Sequence, residues 1–199
     1  MSEPLDVDAL RREVQDKYSR IAEKPDGSYH FHMGRVAAER AGYESEWLDT
    51  VPTAAMESFA GVANPFHWGL PKSGERVVDV GSGAGADSLI AALAVGDDGA
   101  VIGVDMTPAM LERSRSAASS AGLSHVTFSE GVAEHLPVED GWADVVISNG
   151  VINLVPDKVA AYREIVRVLR PGGRVQAADI CVEMEVSESA RSDVDLWTG

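Results

Sequence analysis

Between residues 6 and 23 apolar side chains recur at Leu10, Val14, Tyr18 and Ile21, at spacings of four, four and three. That period places them on one face of a helix. Pro25-Asp26-Gly27-Ser28 breaks the pattern, and helical spacing resumes over residues 35–41 and 53–60. After Pro71-Lys72-Ser73-Gly74-Glu75 the rhythm changes: short apolar runs at 76–80, 101–105, 125–129, 143–148 and 174–182 alternate with helical segments at 84–95, 108–121 and 156–169. Such alternation predicts βαβ units and a doubly wound, mostly parallel sheet with helices on both faces. Thr107-Pro108 fits an N-cap and first helical position, and Gly122 fits a helix stop. A polar helical segment over 187–197 follows the last run and leaves the sheet edge incompletely dressed, a candidate surface for a homodimer. The expected organisation is an N-terminal helical extension, 1–70, before an α/β core, 71–199.

Composition narrows the function. Thirty-two acidic against seventeen basic residues give a net charge of −15, which repels phosphate backbones and anionic lipid and argues against a nucleic-acid or membrane partner. No run approaches the roughly eighteen apolar residues of a membrane span, and the first residues are polar and acidic, so a soluble, cytoplasmic protein is expected. Cys181 is the single cysteine, which excludes an internal disulfide and a cysteine zinc cluster within this chain. In an apolar run it reads as a small core residue.

The run VVDVGSGAGADS, residues 77–88, carries the chemistry. An apolar strand ends in Asp79 and opens into a turn with Gly81, Ser82, Gly83 and Gly85. Glycine lets backbone approach a ligand closely, and the helix that follows presents unpaired N–H groups. The turn also satisfies the dinucleotide pattern through Gly81, Gly83 and Ala86, with Asp105 ending the second run. On the glycines alone, NAD and S-adenosylmethionine stay open. Asp79 favours the second: its carboxylate would oppose a pyrophosphate, whereas S-adenosylmethionine carries an ammonium and a sulfonium and no phosphate.

Over about residues 75–182 the chain resembles the class I S-adenosylmethionine-dependent methyltransferases, through VVDVGSGAG, VIGVDMTPAM, GVAEHLP, DVVISNGVINL and VLRPGGR in order. The resemblance implies a Rossmann-like fold with S-adenosyl-L-methionine as cofactor. It sets Asp79, Gly81 and Gly83 along the methionine part, with Ser82 and Gly85 in the same turn. Asp105 is expected to hold both ribose hydroxyls, Met106 to lie against the adenine, and the backbone of Asn149 to face the methionyl ammonium. Val132 stands where many relatives carry an acid, so adenine recognition falls to the backbone of Ala133 and to Glu134.

Within that superfamily the chain resembles the arsenite methyltransferases and their uncharacterised relatives, through GVDMTPAMLERSR, SNGVINLVPDK, ESFAGVANPF and DLWTG. The family's thiols are missing here: Gly150 follows Ser148-Asn149, residues 57–66 hold no cysteine, and the sequence stops at Gly199. Trivalent arsenic is soft and prefers converging thiolates. The family continues beyond DLWTG, so further strands are expected outside this sequence. The reading is a methyltransferase acting on a small-molecule acceptor. Its rivals are arsenite methylation with thiols from outside the chain and a catalytically silent cofactor-binding module. A nicotinamide oxidoreductase is disfavoured by Asp79 and the later motifs.

For the acceptor side, Tyr29-His30-Phe31-His32 in extended backbone places both histidines on one face. With His67 they form a conceivable metal set, but neighbouring histidines among aromatics more often pack and hydrogen-bond, and no metal is assigned. A lid is the preferred use, with Tyr29, His30, His32, Phe66 and Asn153 as acceptor-side candidates and Phe31, His67 and Trp68 as further aromatic walls. No general base is nominated. Acidic stretches such as SEWLD and VEMEVSES read as solvated surface.

Overall fold

The computed structural model describes residues 6–27, 29, 32–181, 183 and 197. Strands β1 (Arg76–Val80), β2 (Ala100–Asp105), β3 (Val126–Glu130), β4 (Ala143–Asn149) and β5 (Leu169–Ala178) form one sheet in the order β3-β2-β1-β4-β5, every pairing parallel. The chain steps outward from β1 to β3 and returns on the other side of β1 as β4. Strand order therefore reverses between β1 and β4, which opens a crevice at their carboxyl ends.

The apolar runs are continuous because both sheet faces are covered. Val77 of β1 packs with α5 (Ala86–Val95) and α6 (Pro108–Ser120), while Val78 and Val80 pack with α7 (Lys158–Val168) on the opposite face. Alternation along the strand puts Asp79 on the Val77 face, against the start of α5. Asp157 caps α7, its carboxylate accepting from Ala160 N at 2.9 Å.

Helix α1 (Val7–Glu23) begins at Asp6, whose carboxylate accepts from Ala9 N at 2.9 Å. Its predicted stripe is the packed face: Leu10, Val14 and Ile21 are buried and Tyr18 is half-buried. Arg113 of α6 fastens its end by donating to Ala22 O at 2.7 Å and to Ala54 O at 2.6 Å. Then come α2 (Gly34–Arg40), α3 (Ser45–Leu48) and α4 (Thr53–Met56). The helix expected over 53–60 stops at Met56, where the chain turns so that Phe59 O accepts from Gly34 N at 2.8 Å.

Two expectations at the C-terminal end need correction. β5 begins at Leu169, because Ala143 pairs with Leu169 before a register shift brings Val145 opposite Arg174. It ends at Ala178, so Cys181 lies beyond the strand and is exposed rather than packed in the core. The segment 187–197 lies outside the described residues except for Trp197. Among the described residues no helix is long and apolar enough to cross a membrane.

Candidate functional site

At the carboxyl ends of β1, β2 and β4 lies a cleft of about 1100 Å³ counted to its open mouth. The turn after β1 forms its floor. Gly81 N and Ser82 N both donate to Val104 O, at 2.7 and 3.0 Å, and so fold the turn against β2. Gly81, Gly83 and Gly85 all have positive φ, but for different purposes. A Cβ at Gly81 would meet Val151 at 2.3 Å, and one at Gly85 would meet Phe128 and Ser114 at 3.0 Å. At Gly83 nothing lies within 4 Å: this is the glycine that borders open space.

Carboxylates surround that turn. Asp79, 2% exposed, accepts from Ser88 Oγ at 2.6 Å. Asp87, in the first turn of α5, accepts from the Tyr43 hydroxyl at 2.6 Å and from Asn149 Nδ2 at 3.0 Å. The Asn149 side chain also accepts from Val62 N at 2.9 Å and Ala63 N at 3.3 Å, and donates to Ala63 O at 2.8 Å. It thereby ties the segment before β1 to the start of α5. Burial holds the carboxyls of Asp79 and Asp87 above the ordinary range, Asp79 further because of its charged neighbour Asp87. Among the described residues no ion pair involves Asp79, Asp87 or Asp105. Carboxyls that burial holds protonated for want of a counter-charge ionise when a cation is placed beside them, so this wall is suited to receive one.

Asp105 ends β2 on the facing side, accepting from Gly83 N and Thr107 N, each at 2.8 Å. Burial raises its carboxyl while those two N–H bonds pull it down. Thr107 makes no side-chain cap bond, so Asp105 serves the start of α6 in its place. Met106 follows, its carbonyl accepting from Gln15 Nε2 at 2.6 Å. Across the cleft Ala133 is buried, Val132 bridges to His135, and Glu134 pairs with Arg11 at 3.1 Å. Helix α1 thus spans the cleft between the two loops, with Leu10, Val14 and Tyr18 on its inner side.

The structure distributes the acceptor-side candidates differently from the sequence reading. Phe66 is 1% exposed and packs edge-on against Tyr43 and Trp47, so it is a core residue and not a pocket wall. Trp68 is 89% exposed beside His67, away from the cleft. The Tyr29 hydroxyl donates to Arg20 O and Lys24 O at 3.0 and 2.9 Å, closing the end of α1. His30 and Phe31 lie outside the described residues. His32 and Asn153 do come together, on the wall of a second cavity beside the cleft. Among the described residues no three His, Cys, Asp or Glu side chains are grouped to hold a metal. Three contributors escaped the sequence reading: Asp87, Tyr43 and the inner face of α1. For Asp87 a signal existed, an acid in the first turn of the helix eight residues after Asp79.

This arrangement agrees with the comparisons. The sequence profile described as a methyltransferase domain matches residues 71–198. The chain belongs to the class I S-adenosylmethionine-dependent methyltransferases. Among relatives of this methyltransferase chain is the arsenite methyltransferase of Halobacterium salinarum, 41% identical over 81% of this chain and 41% of that protein. The arsenite methyltransferase of Mus musculus is 30% identical over 99% of this chain and 54% of its own length. The crystal structure of an arsenic(III) S-adenosylmethionine methyltransferase from Chlamydomonas reinhardtii is 42% identical, with a TM-score of 0.68 over 74% of this chain and 52% of that one. The chain therefore spans about half or less of these relatives.

The cofactor implied by the family is S-adenosylmethionine, and the residues present fit it. It is cationic and free of phosphate, and the cleft offers Asp79, Asp87 and Asp105, none in an ion pair among the described residues, while Arg11 on the same lining is paired with Glu134. Gly83 leaves space at the turn. The hydroxyls of Ser58 and Ser82, both on the cleft, are buried without a hydrogen-bond partner among the described residues. Orphaned polar atoms of this kind call for a ligand or water.

Proposed function

We propose that this chain is the core of a methyltransferase that moves the methyl group of S-adenosylmethionine to a small-molecule acceptor. The observation that carries the reading is the buried Asp79–Asp87 pair beside an open glycine turn, with no cation among the described residues to neutralise it. A pyrophosphate would meet repulsion here and an ammonium would meet attraction.

When bound, S-adenosylmethionine supplies an electrophilic methyl carbon on its sulfonium. The chain does the rest by placement. Asp79 and Asp87 draw the ammonium toward the turn of Gly81, Ser82 and Gly83, and Gly85 lets α5 start close to the sheet. Asp105, already held by two N–H groups, presents its remaining lone pairs to the ribose hydroxyls. Met106 on one side and Ala133 with Glu134 on the other flank the adenine. Asn149 fixes residues 62–63 over the methionine end, and α1 excludes water from the cleft. In-line methyl transfer needs alignment and dryness more than it needs an acid or base. The surplus of acidic residues supports a small acceptor over a polyanion.

The relatives named as arsenite methyltransferases keep arsenite as an alternative acceptor, although the only thiol here, Cys181, is exposed beyond β5. Incubation with methyl-labelled S-adenosylmethionine and a panel of thiol, phenol and amine acceptors, with arsenite plus glutathione as a separate arm, tests the proposal. Label transfer to an organic acceptor, lost in Asp105→Ala, is the expected result. Transfer to arsenite alone selects the alternative, and no transfer despite cofactor binding means a silent binding module.

A further inference from the structure

A second cavity, about 1210 Å³ counted to its mouth, adjoins the cofactor cleft. Val14, Tyr18, Ala60, Gly61, Gly150 and Leu154 line both, so the two spaces meet at a passage where Gly61 and Gly150 contribute backbone alone. Those glycines are required by packing. A Cβ at Gly61 would stand 2.3 Å from Asn149 Nδ2, and one at Gly150 would stand 3.0 Å from Val62.

The charge on this second wall opposes that of the molecule. In a chain with nearly twice as many acids as bases, the basic residues on the described lining are Lys17, Arg40 and His32, with Tyr18 the other titratable one, and no carboxylate lines it among the described residues. The neighbouring acids are engaged elsewhere. Glu39, next to Arg40 on α2, is held by Arg35 at 2.8 Å, and Arg35 also holds Asp49 at 2.7 Å. Arg40 itself makes no ion pair with a described residue. Asp179 approaches from the end of β5, but its oxygens accept from Asn153 N at 3.1 Å and Ile180 N at 2.7 Å. Lys158, outside the described lining, donates to Asn153 O and Val155 O at 3.0 and 2.9 Å and stands 4.5 Å from the Trp197 ring. Tyr18 and Trp197 add aromatic surface. A pocket whose described charged residues are of one sign, within a molecule of the other sign, selects its occupant by charge.

We infer that the methyl acceptor is an anionic small molecule with a planar or apolar body. Its carboxylate or phosphate is held by Arg40. The body lies along Tyr18 and Trp197, and the methyl-receiving atom points through the Gly61–Gly150 passage toward the cofactor. This inference rests on the methyltransferase reading above and names its acceptor class.

Binding tests it without waiting for the natural acceptor. The whole chain is titrated with benzoate, phenyl phosphate and neutral benzamide, both with and without S-adenosylhomocysteine, whose own titration is run first. Benzoate or phenyl phosphate is expected to bind at least about tenfold more tightly than benzamide, the worth of one charge-assisted bidentate contact. The better of the two tells carboxylate from phosphate. Arg40→Glu is expected to abolish the preference and Arg40→Gln to reduce it, with the thermal midpoint and the affinity for S-adenosylhomocysteine serving as folding controls. Equal binding of neutral and anionic probes, no binding of either anion, or a preference that survives Arg40→Glu would overturn the inference. Failure to bind S-adenosylhomocysteine would instead strike the methyltransferase reading, while the titrations without it still report on the second cavity.

Discussion

The side chain of Asn149 joins several parts of the site, whereas its sequence context pointed only to its backbone. Its amide meets Val62 N, Ala63 O, the Tyr43 hydroxyl and Asp87. Asn149→Ala leaves a buried carboxylate and a buried hydroxyl short of partners, so a loss of about 2–4 kcal/mol is expected in urea denaturation. A loss below about 0.5 kcal/mol would mean that water replaces the amide freely. Asp79 predicts a pH effect of definite sign. Because burial raises its carboxyl, the folded chain holds this proton more tightly than the unfolded chain does. Its contribution to stability is therefore lost as pH rises from the ordinary carboxylate range through the raised folded value. Asp79→Asn removes that titration, so the variant's thermal midpoint is expected to gain on the wild type's from about pH 5 to about pH 8. A constant difference would contradict the burial argument. The motif made Asp79, Asp105 and the backbone of Asn149 legible in the sequence, whereas the bond between the Asn149 side chain and Tyr43 joins residues 106 positions apart.

At the scale of elements, the parallel sheet was readable because each strand buries both faces and so appears as an unbroken apolar run. The stripe of α1 was equally legible, but not its destination. Amphipathic spacing says that a helix is covered on one side and leaves open what covers it. Here that side faces α6 and the cleft, so the cover expected from aromatics near residues 29–32 and 66–68 is supplied, among the described residues, by α1. Its anchoring divides unequally. Leu10 is fully buried, and Leu10→Ala is expected to weaken the docking of α1 by about 2–5 kcal/mol. Arg11→Ala breaks a partly exposed pair with Glu134 and is expected to cost less than about 1 kcal/mol. Hydrogen exchange over residues 7–23 checks both: faster exchange and weaker S-adenosylhomocysteine binding in the leucine variant, near wild-type behaviour in the arginine variant. The reverse order would place the anchor in the ion pair. The mistaken core placement of Cys181 has a similar origin, since apolar residues beyond Ala178 continue the pattern after the pairing with β4 has ended.

At the scale of the molecule, an acidic chain arranges its charge in two adjoining spaces of opposite character. Among the described lining residues, one carries Asp79, Asp87 and Asp105 with its only cation, Arg11, paired to Glu134, and the other carries Lys17 and Arg40 and no carboxylate. Net charge, read from the sequence, matches the sign of the first wall and not of the second, because it sums over a surface that folding divides. The central claim is that the glycine turn receives a cationic, phosphate-free cofactor, and calorimetric titration of the purified chain with S-adenosylmethionine, S-adenosylhomocysteine and NAD tests it most directly. The account predicts binding of both sulfur compounds at about micromolar affinity, with no heat from NAD. Binding of NAD in preference to them, or binding of neither sulfur compound, would contradict it.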